Sequence, residues 1–211
     1  MSEALGLIEV RGWSSSMLVL DRLEKAARVR LLQVELNDLY GVCMKVAGPM
    51  ANVRTALHAG KALADSLQAE CVVDVIPRPD KRSQPAYDAK AEFNPLIEQD
   101  VVHLPAWRPE EKENSLIQQD RFAIGFIETQ GYTAVIEAID TACKTADVDV
   151  LGREKLGGGY ITVVIKGDVA AVKAAIDAGK VKVEGLGKLI AAHVIPSPSQ
   201  AVLSLLPKSQ T

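Results

Sequence analysis

The chain has 211 residues, of which 48% are hydrophobic and 24% are charged, a balance typical of a well-packed globular protein. The net charge of −3 argues against a surface that binds the phosphate backbone of nucleic acids, and the aromatic content of 4% argues against base stacking. No run of about 18 uninterrupted apolar residues is present, so we expect no membrane span.

The first third of the chain has the pattern of a strand, a helix, two strands, a helix and a last strand. ALGLIEV (4–10) is dominated by apolar and β-branched residues, as is typical of a strand. The serines at 14–16 are expected to cap the helix that follows. Pro49 is expected at the first position of the second helix, and Gly60 just beyond its end. A short strand, VVDVIP, then ends at Pro77.

Residues 80–120 form a connector that differs from the rest of the chain. They contain 4 of the 10 prolines, which excludes one continuous helix, and they are too many for a simple hairpin connection. Apolar residues such as Phe93, Val102 and Trp107 favour packing on the protein over a wholly disordered linker. We therefore expect the connector to lie on the surface, and an added edge strand is one way to do so.

The second half of the chain repeats the first at an offset of 119 residues. Without a gap, ALGLIEVRGW (4–13) aligns with AIGFIETQGY (123–132), and VIPRP (75–79) aligns with VIPSP (194–198). Of the 76 aligned positions, 23 are identical. Because chance similarity does not stay in register for so long, the two halves are interpreted as a tandem duplication.

Each copy therefore has the element order β-α-β-β-α-β, which is the split ferredoxin-like arrangement. In the second copy, Asp168 is the expected N-cap of the last helix and Gly179 is expected just beyond its end. The sequence thus predicts an α+β protein with two domains, residues 1–79 and 121–211, joined by the connector at 80–120.

Gly157, Gly158 and Gly159 raise the question of a nucleotide site. A P-loop or a dinucleotide-binding loop opens a helix, but here the glycines are followed by YITVVI, which has the pattern of a strand. The glycines are therefore interpreted as a tight turn that needs positive φ angles, and no cofactor is expected there.

No set of residues points to catalysis. The three histidines lack metal-type spacing, and Glu9 and Glu128 occupy equivalent strand positions, which a duplicated architecture explains. The three cysteines are far apart, so we interpret them as packed, reduced thiols rather than metal ligands. MSEALGLIEV lacks the basic residues of a secretory signal. We expect an intracellular protein without enzymatic activity, cofactor or metal.

The repeated sequence segments resemble the shell domain of bacterial microcompartments. The resemblance is carried by AIGFIETQGYTAVIEAID and AAHVIPSP in the second copy, and by ALGLIEVRGW, KAARV and VIPRP in the first. Chains with two such domains are tandem-domain shell proteins, and both copies here start at the same strand, as in the unpermuted type. The resemblance implies a cytoplasmic shell protein. It would form a homotrimer whose six domains make a pseudo-hexameric tile, joined at its edges to other shell proteins.

The same resemblance implies a central pore through which small metabolites pass. The predicted pore-lining residues are those of the equivalent turns in the two copies: Asn37, Asp38, Leu39 and Tyr40, and Leu156, Gly157, Gly158 and Gly159. Asp38 facing the channel would attract cations, whereas Leu39 or Tyr40 turned inward would narrow it. Alternatively, Tyr40 is the first core residue of the next strand. Neither turn contains a cysteine, so the iron–sulfur cluster of some relatives is not expected.

The resemblance also implies contacts at the edge of the tile. Lys25 and Lys144 occupy equivalent positions near the ends of the first helices, where the family has a lysine that packs against its neighbour's. The alternative is a cation that interacts with the last carbonyls of its own helix. Arg78 matches the edge arginine of the family, and Ser197 stands at the equivalent position of the second copy.

A second class of function stays open at this point. Trimeric ferredoxin-like proteins can bind effectors in clefts between subunits, and the connector is long enough to form such a cleft. A thermal-shift screen with ligands discriminates between a small-molecule sensor and a tile, since a tile need not be stabilised by any metabolite.

Overall fold

The protein is described by a computed structural model over residues 3–37, 41–88, 90–95, 99–105 and 122–207. The first domain comprises β1 (Ala4–Val10), α1 (Trp13–Ala26), β2 (Arg30–Asn37), β3 (Gly41–Gly48), α2 (Met50–Ser66) and β4 (Cys71–Ile76). The connector holds a 3-10 turn (Lys81–Ser83), α3 (Gln84–Tyr87), β5 (Glu92–Asn94) and β6 (Gln99–His103). The second domain comprises β7 (Ala123–Gln130), α4 (Tyr132–Thr145), β8 (Asp149–Gly157), β9 (Tyr160–Gly167), α5 (Val169–Val181), β10 (Lys188–Ile195) and α6 (Gln200–Leu205).

The two domains have the same antiparallel topology. The first sheet contains the strand order β4-β1-β3-β2, and the second has the order β10-β7-β9-β8. In each domain the two helices join strands that are not neighbours in the sheet, so each helix crosses over the sheet, and the two pack against each other on one face of it. This arrangement confirms the predicted α+β fold of two ferredoxin-like domains. Within the described ranges, no helix is long and apolar enough to cross a membrane.

Each domain buries one face of its sheet under its own two helices. In the first domain, Ile8 on β1, Leu20 on α1 and Val53 on α2 are fully buried together. Ile127 and Val172 take the equivalent places in the second domain. Burial of one such side chain contributes about 1.5–3 kcal/mol to stability, so these contacts hold the helices to the sheets.

The connector adds a hairpin to the first sheet. β6 pairs with β2 through Val34 and His103 and through Glu35 and Val102, and β5 pairs with β6 in turn. Among the described residues, the first sheet therefore has six strands, whereas the second has four and ends at β8. The expectation of an edge strand in the connector is confirmed.

The expected helix ends at Gly60 and Gly179 are wrong, because both glycines lie inside helices. α2 continues to Ser66 and α5 to Val181. A Cβ on Gly60 would lie 2.7 Å from Leu23 Cδ2, and a Cβ on Gly179 would lie 2.7 Å from the carbonyl oxygen of Ala138. These glycines are therefore needed for the close approach of the two helices in each domain, not for termination.

The start of α2 also differs from expectation. Pro49 is the N-cap residue of α2 rather than its first helical residue, since its ψ of 139° is extended and the helix begins at Met50. Asp168 is the N-cap residue of α5 as predicted, although its side chain makes no capping hydrogen bond.

Candidate functional site

The predicted glycine turn connects β8 to β9. The strands pair up to Gly157 and Tyr160, so Gly158 and Gly159 are the two loop residues of a hairpin. The φ angles are +84° at Gly157, +56° at Gly158 and +82° at Gly159, which is the left-handed region that favours glycine. A Cβ on Gly158 or Gly159 would meet no neighbouring atom closer than 3.6 Å. Glycine is thus required by the backbone conformation and not by lack of space.

Neighbouring residues hold this turn in place. Gln130 Nε2 donates to the carbonyl of Gly158 at 3.1 Å, and the Gly131 N–H donates to the carbonyl of Gly159 at 3.1 Å. Leu156, in contrast, is 6% exposed and packs in the hydrophobic core. The exposed part of the turn is therefore backbone without side chains, which presents little bulk and no formal charge.

The equivalent turn of the first domain connects β2 to β3. Asn37 at the end of β2 pairs with Gly41 at the start of β3. The residues between them lie outside the described part of the chain: Asp38, Leu39 and Tyr40. Asn37 Nδ2 donates to Glu9 Oε1 at 3.1 Å, so the end of β2 is held to β1. The assignment of all eight turn residues to a pore stays a prediction.

The two domains meet at the start of α1. Glu128 on β7 has no exposed surface, and its carboxylate accepts hydrogen bonds from the N–H groups of Trp13 at 3.2 Å and Ser14 at 3.1 Å. Phe126, two residues earlier on the same face of β7, lies in one hydrophobic cluster with Trp13 and Met17. The second sheet therefore uses the face opposite its own helices to cover a helix of the first domain.

The serines at 14–16 do not cap α1, which corrects the sequence-based expectation. The helix begins at Trp13, and its N-cap residue is Gly12, which has no side chain to offer. The serines consequently lie in the first turn, where Ser16 Oγ donates to the carbonyls of Gly12 at 2.6 Å and Val10 at 3.2 Å. The acceptor that satisfies the free N–H groups of this helix start comes from the other domain.

The environment of Glu128 acts on its ionisation in two directions. Burial raises the pKa of the Glu128 carboxyl to about 7, because the charged form loses its hydration. The N–H groups of Ser14 and Trp13 act the other way, since they stabilise the carboxylate. The sequence indicated that Glu9 and Glu128 are equivalent, but it carried no signal that one of them binds a helix start.

The last turns of α1 contact the segment that follows β10. Glu24 Oε2 accepts a hydrogen bond from the Ala201 N–H at 3.0 Å, which satisfies a donor at the start of α6. Lys25 Nζ donates to the carbonyl of Ser197 at 2.6 Å and to Asp21 Oδ2 at 2.6 Å. Both ends of α1 are thereby fastened to the second domain.

The predicted tile-edge residues have different surroundings. The Lys25 side chain is 46% exposed, and it donates hydrogen bonds both to its own helix and to the second domain. The Lys144 side chain is 74% exposed and pairs with Asp140 on the same helix at 2.6 Å. Arg78 is exposed beyond the end of β4. Lys25 and Lys144 therefore have different partners, and the role of all three residues at an edge stays a prediction.

The connector hairpin also touches the second domain. Gln99 on β6 donates to the carbonyl of Lys155 at 2.5 Å and accepts from the Lys155 N–H at 2.7 Å, so its amide pairs with β8 as a strand would. A cavity of about 410 Å³ beside this contact is lined partly by Asp100, His103 and Glu154. Burial, assisted by the charge of Asp100, raises the pKa of Glu154 to about 8.

Burial favours the uncharged forms of Cys43 and His193. In the part of the chain that the structure describes, no three His, Cys, Asp or Glu side chains are placed to hold a metal ion. Burial, above all, raises the pKa of Cys43 to about 11, so this thiol stays protonated at neutral pH and is a weak nucleophile. Burial lowers the pKa of His193 on β10, which favours its neutral form.

A family model described as the BMC domain matches the chain twice, at residues 4–79 and at residues 123–198. The two matched ranges coincide with the two copies of the internal repeat. They include both turns, the helix start at Trp13 and the strand that carries Glu128.

Individual relatives match one copy or nearly the whole chain. The bacterial microcompartment shell protein PduA of Citrobacter freundii is 50% identical over 86 residues, which cover 41% of this chain and 92% of that protein. The carboxysome assembly protein CcmO of Synechococcus elongatus is 30% identical over 209 residues, which cover 99% of this chain and 70% of that protein. A solved structure of a microcompartments protein from Desulfitobacterium hafniense DCB is 28% identical and covers 94% of this chain and 97% of that one, with a TM-score of 0.37.

Proposed function

The chain belongs to the BMC domain family as a shell protein with two such domains in tandem, and from this premise we propose that three copies form a pseudo-hexameric tile with a central pore. The tile would be part of the shell of a microcompartment in the bacterial cytoplasm. Its role would be structural, with passage of small metabolites through the pore and without catalysis.

The observation that carries the proposal is the way in which the two domains meet. α1 of the first domain packs on the outer face of β7 and on α6 of the second, so the contact joins two different surfaces of one repeated unit. Contacts of this heterologous kind propagate from unit to unit, and they close into a ring when the rotation allows it. Six domains in a ring correspond to three chains.

The pore in this proposal is lined by alternating turns. Gly158 and Gly159 would contribute three small, uncharged turns, and the turns that contain Asn37, Asp38, Leu39 and Tyr40 would contribute three larger ones. Three Asp38 carboxylates around one axis would favour cations over anions in the channel. The exposure of Gly158 and Gly159 in the single chain supports this arrangement.

The edges of the tile would bind other shell proteins through Lys25, Lys144 and Arg78. The exposure of Lys144 and Arg78 in the single chain supports this part of the proposal. Since Ser197 replaces the arginine in the second domain, the edges contributed by the two domains would differ in charge.

Sedimentation of the purified chain tests the tile, and electron microscopy of concentrated samples tests the sheet. We expect a single species of three chains that forms sheets alone or with partner shell proteins. A chain that stays monomeric at micromolar concentration and never enters sheets would overturn the proposal.

A further inference from the structure

The equivalent helices of the two domains differ sharply in exposure. Trp13 and Met17 on α1 have no exposed surface, because they lie in one cluster with Phe126 of the second domain. The Trp13 ring also lies 5.6 Å from the ring of His103 on the connector hairpin. Their equivalents on α4, Tyr132 and Ile136, are 46% and 47% exposed. The second domain thus leaves uncovered the same helix face that the first domain buries.

The sheets differ in the opposite sense. Phe126 and Glu128, on the outer face of β7, have no exposed surface. Their equivalents on β1, Leu7 and Glu9, are half-buried. The first domain therefore leaves uncovered the sheet face that the second domain uses to bind α1.

The segments that follow the last strand of each domain also differ in burial. α6 buries Ala201, Val202 and Leu205, and it lies in the cluster that covers α1. The equivalent segment of the first domain, the 3-10 turn and α3, buries no residue. Within the described part of the chain, one half of the domain contact is thus open on each domain, and the two open halves are complementary.

The start of α4 has room for a carboxylate. A Cβ on Gly12 would lie 3.2 Å from Glu128 Oε2, which shows where the carboxylate sits at the start of α1. A Cβ on Gly131, the equivalent residue, would meet nothing closer than the Cα of Gly187 at 3.6 Å. The N-cap residue of α4 is Gly131, which, like Gly12 at the start of α1, has no side chain to offer as an acceptor.

We propose that Glu9 of one protomer accepts hydrogen bonds from the N–H groups of Tyr132 and Thr133 of the next, so that the contact between chains copies the contact within the chain. The inference rests on the proposed ring and names the second copy of this chain as the partner. Each chain then supplies one carboxylate inside itself, Glu128, and one to its neighbour, Glu9. A negative charge at a helix N-terminus is favoured by the helix dipole and by the unpaired N–H donors.

The surroundings of Glu9 prepare it for this role. Asn37 Nδ2 donates to Glu9 Oε1 at 3.1 Å, which leaves Oε2 available to a neighbour. In the second domain the residue equivalent to Asn37 is Leu156, which has no amide to donate to Glu128. Both carboxylate oxygens of Glu128 accept hydrogen bonds from α1 instead. The side chain of Glu9 is thus oriented before the neighbour arrives.

Dilution of the full-length trimer tests the contact. Loss of a helix cap costs about 1–2 kcal/mol per interface, which corresponds to roughly a tenfold change in the dissociation equilibrium. We expect Glu9→Ala to raise the concentration of half-dissociation at least about tenfold, and the nearly isosteric Glu9→Gln to raise it by a smaller factor. Asp177→Asn, which changes an exposed carboxylate on α5, serves as the matched control and should not change the concentration.

Crosslinking tests the position of Glu9 directly. In a background with Cys43, Cys71 and Cys143 changed to Ser, we expect Glu9→Cys with Thr133→Cys to give covalent trimers with a short bismaleimide, and Glu9→Cys with Asp177→Cys to give none. A wild-type chain that is monomeric would overturn the ring and this inference with it. A trimer that dissociates like wild type in Glu9→Ala and shows no Glu9–Thr133 crosslink would overturn the inference alone.

Discussion

The Ser14 N–H at the start of α1 donates to Glu128 Oε2 on β7 at 3.1 Å, across 114 residues of sequence. With the second donor from Trp13, this carboxylate satisfies two N–H groups in a contact from which water is excluded. A buried donor that loses its acceptor is destabilising because it cannot return to water. The hydrogen bonds therefore make the first domain dependent on the second for the start of α1.

Removal of this carboxylate should destabilise the chain. We expect Glu128→Ala to lower the free energy of unfolding by about 1–3 kcal/mol, since two buried donors lose their partner. Glu128→Gln keeps one acceptor oxygen and should lose less. Denaturant unfolding followed by circular dichroism measures both, with Asp177→Asn as the control. A Glu128→Ala variant as stable as the control would contradict the capping role.

The free energy of unfolding should also depend on pH, because of the Glu128 carboxyl. Burial raises the pKa of Glu128 from 4.5 to about 7, so between these values the folded chain holds a proton that the unfolded chain has released. The contribution of Glu128 is therefore largest below pH 4.5, falls as the pH rises to about 7, and is flat above.

The pH effect is isolated by comparing wild type with Glu128→Gln. Glu154, whose pKa is raised to about 8, titrates in both proteins and cancels in the difference. We expect the stability of wild type relative to Glu128→Gln to decrease between pH 5 and pH 8. A relative stability that increases with pH would mean that the two backbone donors outweigh burial in setting the pKa.

The sequence sufficed for the architecture because the signals involved are local or repeated. Strand and helix patterns recur within a few residues, and the offset of 119 places each element of one copy over its equivalent in the other. The turn at Gly157–Gly159 was predictable for the same reason, since three glycines before a β-branched run require little beyond their own backbone preferences.

The contact between the domains was not predictable in this way. Glu9 and Glu128 lie in similar sequence contexts, LIEV and FIET, yet one is half-buried and the other has no exposed surface. The difference comes from which helix packs on each strand, and no local pattern records that. Gly60 and Gly179 were misassigned because a glycine at a close helix crossing and a glycine at a helix end look alike in one sequence.

Gly60 and Gly179, which lie where the two helices of each domain pack closely, should tolerate substitution by alanine to different degrees. At Gly179 the added Cβ would lie 2.7 Å from the backbone oxygen of Ala138, whereas at Gly60 it would lie 2.7 Å from the methyl group of Leu23 Cδ2. A leucine side chain can move more easily than a backbone carbonyl. We expect Gly179→Ala to destabilise the protein by about 1–3 kcal/mol despite the helix propensity of alanine, and Gly60→Ala to cost less. Thermal melting of the pair measures this, and an equal loss in both variants would contradict it.

The charge of the pore should depend on Asp38. We expect Asp38→Ala to leave the trimer intact and to reduce the preference of assembled shells for cations over anions, because three carboxylates leave the channel. Uptake of charged indicators into assembled shells measures the preference. Glu92→Gln, on exposed β5, removes a carboxylate from outside the turns and serves as the control. Equal permeability changes in the two variants would argue against a channel-facing Asp38.

Substitutions of Lys25 and Lys144 should affect sheet assembly and stability differently, because the contacts of the two lysines differ. Lys25 donates to the Ser197 carbonyl of the other domain, whereas Lys144 pairs with Asp140 on its own helix. We expect Lys144→Ala to leave the melting temperature and the trimer unchanged while it impairs sheets. Lys25→Ala should impair sheets and also lower the stability by about 0.5–1.5 kcal/mol, since a hydrogen bond between the domains is lost. Lys180→Ala, on α5, removes a comparable exposed lysine and should affect neither property. Sedimentation and electron microscopy follow the trimer and the sheet separately, and intact sheets in the Lys25→Ala, Lys144→Ala double variant would rule out the edge role of both lysines.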